Sequence, residues 1–336
     1  MRAPVYVYDP TKSDIQSKVR GIGRYLQILR ENSPADWIFT DSLSQIPSHA
    51  ILIQPFYTFY QKPLITKRIT DRQLAVIHDV IPFKYPSHFP IGIRAWFYSL
   101  LQKRNLNLFD TFITDSETSK TDLKTILGIP EQKISVLYPT LADCFWQSSR
   151  PHAASGDYMI YVGDGTWNKN LSLLARALKK TNVACMFVGK IFQDTNPDHY
   201  THPWQEDLRI FFSEAKDNKQ FIFTGFVTDA ELINLYSKAR YNVLMSHDEG
   251  FGFSFVEAAA CGCPSLLNDK PIFHEIAGTA AEYVNGNDPF AIADKLRLLM
   301  KDDSKRDELS FKALEQSKIY SSSSFKSELL KIVYPY

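Results

Sequence analysis

The chain has 336 residues, enough for about two domains, and its 44% hydrophobic and 22% charged residues are the proportions of a globular protein that buries a core. Thirty-eight basic side chains stand against 37 acidic ones, which argues against a nucleic-acid-binding surface, since that needs clustered, uncompensated Lys and Arg. Cys144, Cys185, Cys261 and Cys263 have no His or Cys partners at zinc-ligand spacing and read as small buried hydrophobes in a reducing compartment.

The first apolar run, Val5–Tyr8, stops at Asp9-Pro10. It is too short for a signal peptide or a membrane span, so a cytoplasmic location is expected. Short apolar runs at Val5–Tyr8, Trp37–Thr40, Ala50–Gln54, Leu74–His78, Thr111–Thr114 and Ile134–Leu137 predict strands. Arg24–Glu31, Ile93–Leu106 and Ser116–Leu127 predict helices between them, the last with a Ser-Glu-Thr-Ser start and a Gly128-Ile-Pro130 stop. This alternation implies a parallel sheet covered by helices on both faces.

Residues 147–157 are polar and rich in small side chains, as expected of an interdomain linker. The alternation then restarts. Strands are expected at Tyr158–Val162, Ala184–Val188, Phe221–Phe223, Tyr241–Met245 and Ser265–Leu267. Helices are expected at Leu171–Leu178, Ala230–Ala239, Phe255–Cys261 and Pro289–Met300. A capped helix over Phe325–Val333 should close the chain, expected to pack back towards the first domain. The expected division is 1–150, 151–320 and 321–336. Aromatic residues make up 13% of the chain, which suggests large buried rings or sugar-stacking platforms.

Two doubly wound domains in series place a ligand at the carboxyl ends of their strands. The most informative stretch lies after one such strand, from Ser246 to Pro264. Gly250 and Gly252 allow close backbone approach, and the helix that follows offers unpaired N–H donors to a diphosphate. Glu249 and Glu257 frame it, and a carboxylate accepts the vicinal hydroxyls of a sugar. Phosphate between two hydroxyl-binding acids has the shape of a nucleotide-sugar. On spacing alone, the alternative is a plain turn with a surface Glu257.

Glu249 and Glu257, with seven residues between them, resemble the E-x7-E motif of retaining glycosyltransferases of family 4. Glu-Gly-Phe-Gly, the Cys261-Gly262 pair and Pro264 agree, as do Phe223-Thr-Gly-Phe-Val227 before the motif and Glu275-Ile-Ala-Gly278 after it. The resemblance implies a GT-B fold, α/β, with two Rossmann-like doubly wound domains facing an interdomain cleft. It implies that Glu249 holds the donor sugar and Glu257 the ribose, with the amides of Phe251, Gly252 and Phe253 near the phosphates.

It further implies that Gly163 belongs to the donor site and that Lys169, in Tyr161-Val-Gly-Asp-Gly-Thr-Trp-Asn-Lys-Asn170, faces the leaving diphosphate. The family usually has an Arg here as well, and this sequence has none between Gly163 and Lys169. In the first domain, Arg20-Gly-Ile-Gly-Arg-Tyr25 resembles a family loop near the donor phosphates. Gly21 and Gly23 would permit close approach, and Arg20 or Arg24 would supply the missing charge; the bland alternative is a helix start with surface arginines. His78 and Asp79, at the end of a strand, resemble a family His-Asp segment beside the acceptor and the reacting sugar.

The reading that follows is a hexosyltransferase with Glu249, Lys169 and His78 as catalytic candidates, a nucleotide-diphosphate sugar as donor, and retention by front-face attack. Resemblance to bacterial mannosyltransferases of polysaccharide assembly points to GDP-mannose, with a glycan or a lipid-linked acceptor that would bring the chain transiently to the inner face of a membrane. No Asp-x-Asp motif is present, so no metal and no cofactor are expected. Two alternatives stay open. A non-catalytic nucleotide-sugar-binding subunit would have no transfer for Glu249→Ala to remove. A nucleotide-sugar epimerase would release an altered sugar without an acceptor.

Overall fold

In a computed structural model of the chain, residues 2–12, 21–148 and 156–335 are described. The chain divides into two compact units. The first comprises Met1–Pro86, Pro90–Thr140 and Tyr320–Tyr336, and the second Ser87–Phe89 and Leu141–Ile319.

The first unit runs β1 (Val5–Tyr8), α1 (Gly21–Asn32), β2 (Ile38–Thr40), β3 (Ile51–Gln54), β4 (Arg72–Val76), α2 (Ile81–Lys84), α3 (Ile93–Asn105), β5 (Thr111–Thr114), α4 (Glu117–Leu127) and β6 (Ile134–Val136). Its sheet has the order β2-β1-β3-β4-β5-β6, and the pairings are parallel. All four residues of β3 are buried, which explains the apolar run Ile51–Ile53: a parallel strand covered on both faces has no solvent side to mark with alternating polar residues. Leu52, Ala75, Ile77, Phe109, Phe112, Leu123 and Ile134 form the core between sheet and helices.

The second unit begins with α5 (Asp143–Gln147) and β7 (Tyr158–Val162), then α6 (Leu171–Leu178), β8 (Ala184–Val188), α7 (Glu206–Ala215), β9 (Phe221–Gly225), α8 (Asp229–Lys238) and β10 (Tyr241–Leu244). It continues with α9 (Phe253–Ala260), β11 (Ser265–Asn268), α10 (Pro271–Ala277), β12 (Ala281–Val284), α11 (Pro289–Leu299) and α12 (Asp303–Ser317); the last helix, α13 (Ser322–Val333), belongs to the first unit and contacts α1. The second sheet is ordered β12-β11-β10-β7-β8-β9. The chain enters in the middle at β7, winds outward through β8 and β9, and returns to the other side of β7 at β10. The order reverses between β7 and β10, so their carboxyl ends flank the crevice where an open α/β sheet takes its ligand.

Phe187, Phe192, Phe211, Phe212 and Phe223 pack ring against ring, Phe187 and Phe211 at 4.9 Å between centroids. Much of the high aromatic content is therefore core.

Several boundaries differ from the sequence reading. The strand expected at Leu74–His78 is Arg72–Val76, so His78 lies two residues past it. The helix expected from Phe255 starts at Phe253. The Gly21–Gly23 stretch is not a loop but the first turn of α1. Residues 149–155 of the expected linker, and Arg20, lie outside the described residues.

Candidate active site

In the second unit the loops that follow β7 and β10 carry the candidate residues, and buried amides tie them together. Asn168 Nδ2 donates to the Asp248 carbonyl at 3.0 Å, and the His247 amide donates to the Asn168 carbonyl at 2.7 Å. Asn170, at φ 56°, donates from Nδ2 to the carbonyls of Met245 and Gly286. Asn268 donates to the carbonyls of Met245 and Ser246. Asn serves here because its amide donates and accepts at once and its backbone tolerates the left-handed region. Asn168 thus spends its side chain on joining the two loops, in the stretch where the family's extra arginine is missing.

This frame brings together Lys169 and Glu249. Lys169 Nζ donates to both carboxylate oxygens of Glu249, at 2.9 and 2.7 Å, with the side chains only 17% and 11% exposed. Ser246 Oγ donates to Glu249 Oε1 at 2.6 Å. Cation and carboxylate, 80 residues apart in sequence, therefore neutralise each other at the crevice mouth.

Gly250 lies on the same loop, and Phe251 is buried with its ring 5.4 Å from that of Phe253. Gly252 caps α9 at φ 101°, and a Cβ there would lie 2.7 Å from Ile276 Cδ1. Only glycine turns the chain into the helix at this point without strain. No side chain caps α9, so its N-terminal amides are donors for an anion. At Gly163 a Cβ would stand 2.8 Å from the Tyr161 hydroxyl.

Glu257, in the second turn of α9, is only 7% exposed. The Tyr236 hydroxyl donates to its Oε2 at 3.3 Å. Burial first, and then the Glu257 charge, push the Tyr236 phenol well above its ordinary pKa, so it stays a donor. A polar line runs on through Ser254 to Asn242 on β10 and Ser265 on β11. In the sequence Tyr236 is only one residue of the expected helix Ala230–Ala239. Its role is set by a contact between α8 and α9 that no local pattern encodes.

Trp167 stacks on His247 at 4.6 Å and on His88 at 3.7 Å. Burial lowers the His247 pKa to about 4, with the Lys270 and His88 charges acting the same way.

In the first unit, Gly21, Gly23 and Arg24 occupy the first turn of α1. His78 Nδ1 sits 2.7 Å from Asp115 Oδ2, and Tyr25 and Phe56 pack against the imidazole at 4.6 and 5.3 Å. Burial alone would lower the His78 pKa; the Asp115 charge and hydrogen bond, with Asp79 and Pro55, outweigh it and raise the value. His78 Nε2, Asp115 Oδ1 and the Tyr25 hydroxyl are buried without hydrogen-bond partners among the described residues. Asp79 turns instead to structure, Oδ1 accepting from the Ile81 amide. Asp115 was missed in sequence; the available signal was its place just past β5, the strand beside β4.

The family model "Glycosyl transferases group 1" matches residues 145–316. The chain is 29% identical over 248 residues to the O-antigen chain mannosyltransferase RfbU of Salmonella typhimurium, an alignment covering 72% of this chain and 66% of RfbU. It is 28% identical over 150 residues to a GDP-mannose:cellobiosyl-diphosphopolyprenol alpha-mannosyltransferase of Xanthomonas oryzae pv. oryzae, covering 43% of this chain and 37% of that protein. The chain thus spans about two thirds of the length of RfbU and less of the second relative. Among solved structures, Anabaena HepE in complex with UDP and glucose superposes with a TM-score of 0.71 at 15% identity over the whole of both chains. That likeness establishes the two-sheet GT-B fold.

Proposed function

The chain belongs to the glycosyl transferases group 1, a family of sugar-transferring enzymes whose model matches residues 145–316 of its 336, and from that premise we propose that it moves a hexose from a nucleotide-diphosphate sugar to a hydroxyl of a glycan or lipid-linked acceptor. The observation that carries the proposal is the Lys169–Glu249 pair at the β7/β10 switch point, beside the uncapped start of α9 and one helical turn from Glu257. The ribose goes to Glu257, which Tyr236 and the polar line behind it hold in place. The diphosphate goes to the amides of Phe251, Gly252 and Phe253 and to Lys169, with Gly163 leaving room for it. Lys169, drawn to the phosphates, releases the Glu249 carboxylate to accept from sugar hydroxyls.

Transfer breaks the bond between the anomeric carbon and the diphosphate oxygen. Lys169 and the positive end of α9 stabilise the charge that develops on the leaving group. The acceptor oxygen bonds to the same face, its proton passing to the departing phosphate, and configuration is retained. His78, held by Asp115, is assigned to the reacting sugar and the acceptor, with Gly21, Gly23 and Arg24 on the donor phosphates. The name of the Xanthomonas relative supports GDP-mannose as donor and a lipid-linked acceptor, and the name of RfbU supports a mannosyl group as the one transferred. No metal is assigned a role.

The test is thermal unfolding with GDP, UDP, ADP and dTDP, each with and without Mg²⁺. Binding to the folded state stabilises by about 2.7 kcal/mol at a hundredfold excess over Kd. A shift with GDP alone, indifferent to Mg²⁺ and lost in Glu257→Gln, is expected. A shift with none of the four would overturn the donor site.

A further inference from the structure

Helix α3, Ile93–Asn105, is turned inside out. Its buried residues are Ser99 and Gln102. Ile93, Trp96, Phe97 and Leu100 are instead 88%, 54%, 53% and 46% exposed. Their spacing of i, i+3, i+4 and i+7 sets them on one stripe, an arc of about 100° on the helix wheel. The inward polar residues are satisfied: Ser99 Oγ donates to the Trp96 carbonyl at 2.7 Å, Gln102 Nε2 donates to the Gln61 carbonyl at 3.3 Å, and the Gln102 carbonyl accepts from the Tyr57 hydroxyl. The orientation is therefore built in, with the apolar side left for something outside the chain.

The charges around the stripe say what that is. Arg94 borders it on one side and Lys103 on the other, while Arg104 continues it by one turn. The helix contains no Asp or Glu. Around it, residues 60–108 hold eight Lys and Arg against two Asp, in a chain whose formal net charge is only +1. Arg94, Lys103 and Arg104 are exposed and have no ion-pair partner among the described residues; Lys103 lies over the Phe83 ring. Indole, phenyl and aliphatic side chains flanked by long cations are the composition of a helix that lies in a bilayer interface, its rings among the acyl chains and its cations at anionic headgroups. Self-association through the same stripe would bring these cations against each other.

We propose that α3 is a docking face for an anionic lipid bilayer. The inference stands on this helix alone and is independent of the transferase reading. With 13 residues α3 is too short to cross a bilayer, so attachment through it lies in the interface.

The test is flotation of the full chain with vesicles of equal parts phosphatidylglycerol and phosphatidylcholine, against vesicles of phosphatidylcholine alone. The chain should float with the first and not with the second, and release as salt rises, because screening shortens the reach of the headgroup field. Lys103→Gln with Arg104→Gln should weaken partitioning roughly 25-fold, at about fivefold per cation. Trp96→Ser with Phe97→Ser should weaken it by at least about tenfold, since both rings enter the interface. Because these four side chains are exposed, the variants should keep the parent melting temperature, which confirms that a loss belongs to the face. Equal flotation by the Trp96/Phe97 variant, or none by the parent chain, overturns the proposal. So does a homodimer in sedimentation equilibrium that the Trp96/Phe97 variant abolishes. If none of the four nucleotides stabilises the parent chain while flotation persists, the donor reading falls and the docking face stands.

Discussion

Lys169 and Glu249 hold each other in a largely buried ion pair, and such a pair is asymmetric: removing one partner strands the other charge, at about 3–5 kcal/mol. Lys169→Gln should therefore lose stability as well as transfer, so its activity alone cannot separate the two effects. The double variant Lys169→Gln, Glu249→Gln should recover much of the stability in urea unfolding while transfer stays absent, a coupling that a double-mutant cycle reads directly. Full transfer by Glu249→Gln would remove this residue from the site. Gly252 makes a different kind of demand. At φ 101°, with Ile276 Cδ1 2.7 Å from where a Cβ would stand, Gly252→Ala should cost about 1–3 kcal/mol, seen as a lower urea midpoint. An unchanged midpoint would mean that the loop relaxes freely.

At the scale of elements, helix ends explain where the chain turns. Ser116 Oγ accepts from the Ser119 amide at 3.0 Å and Gly128 closes α4 at φ 67°. Ser116→Ala should cost about 1–2 kcal/mol in chemical denaturation; no loss would mean that solvent or a neighbour caps the helix equally well. Helix α9 is the contrast, since no side chain caps it. A capped helix spends its N-terminal donors internally and an uncapped one keeps them for an anion, so the two ends differ in use although both follow a strand of a parallel sheet. Among the exposed large apolar side chains, Ile93, Trp96, Phe97 and Leu100 fall on one helix at regular spacing. Sequence periodicity alone would have turned that stripe inward.

Over the whole molecule, two histidines give stability opposite pH dependences. His247 is held neutral in the fold, its pKa lowered to about 4 by burial, with Lys270 and His88 adding to it. The unfolded chain protonates near 6.5, so this contribution is complete above about 6.5 and is lost as pH falls towards 4. His78 has a raised folded pKa through Asp115, against the effect of burial. Its contribution is complete below about 6.5 and is lost as pH rises through the raised value. His247→Gln should flatten the acid side of a plot of melting temperature against pH, and His78→Gln the neutral side. If each variant moved the curve uniformly, neither ring would be linked to folding.

Much of this was legible in the sequence because parallel strands buried on both faces are short, mainly apolar runs without polar alternation, and β3, β10 and β11 are buried throughout. The glycines and glutamates of 249–257 were legible for a similar reason, since one strand–loop–helix contains the motif. Other elements were not. Helix α12 is largely polar, burying Leu309, Ser310, Ala313 and Ser317, and β12 leaves its two middle residues partly exposed; both lack the periodic signal that marks a buried element. Pairing was beyond reach altogether. The sequence by itself determined two α/β units in tandem and the residue types at the strand ends, because burial and turn chemistry act locally. Only the tertiary structure decided that Lys169 meets Glu249, that His78 meets Asp115, that Tyr236 holds Glu257, and that α3 shows its apolar side to solvent. Each depends on contacts between elements far apart in the chain, where packing outweighs local preference.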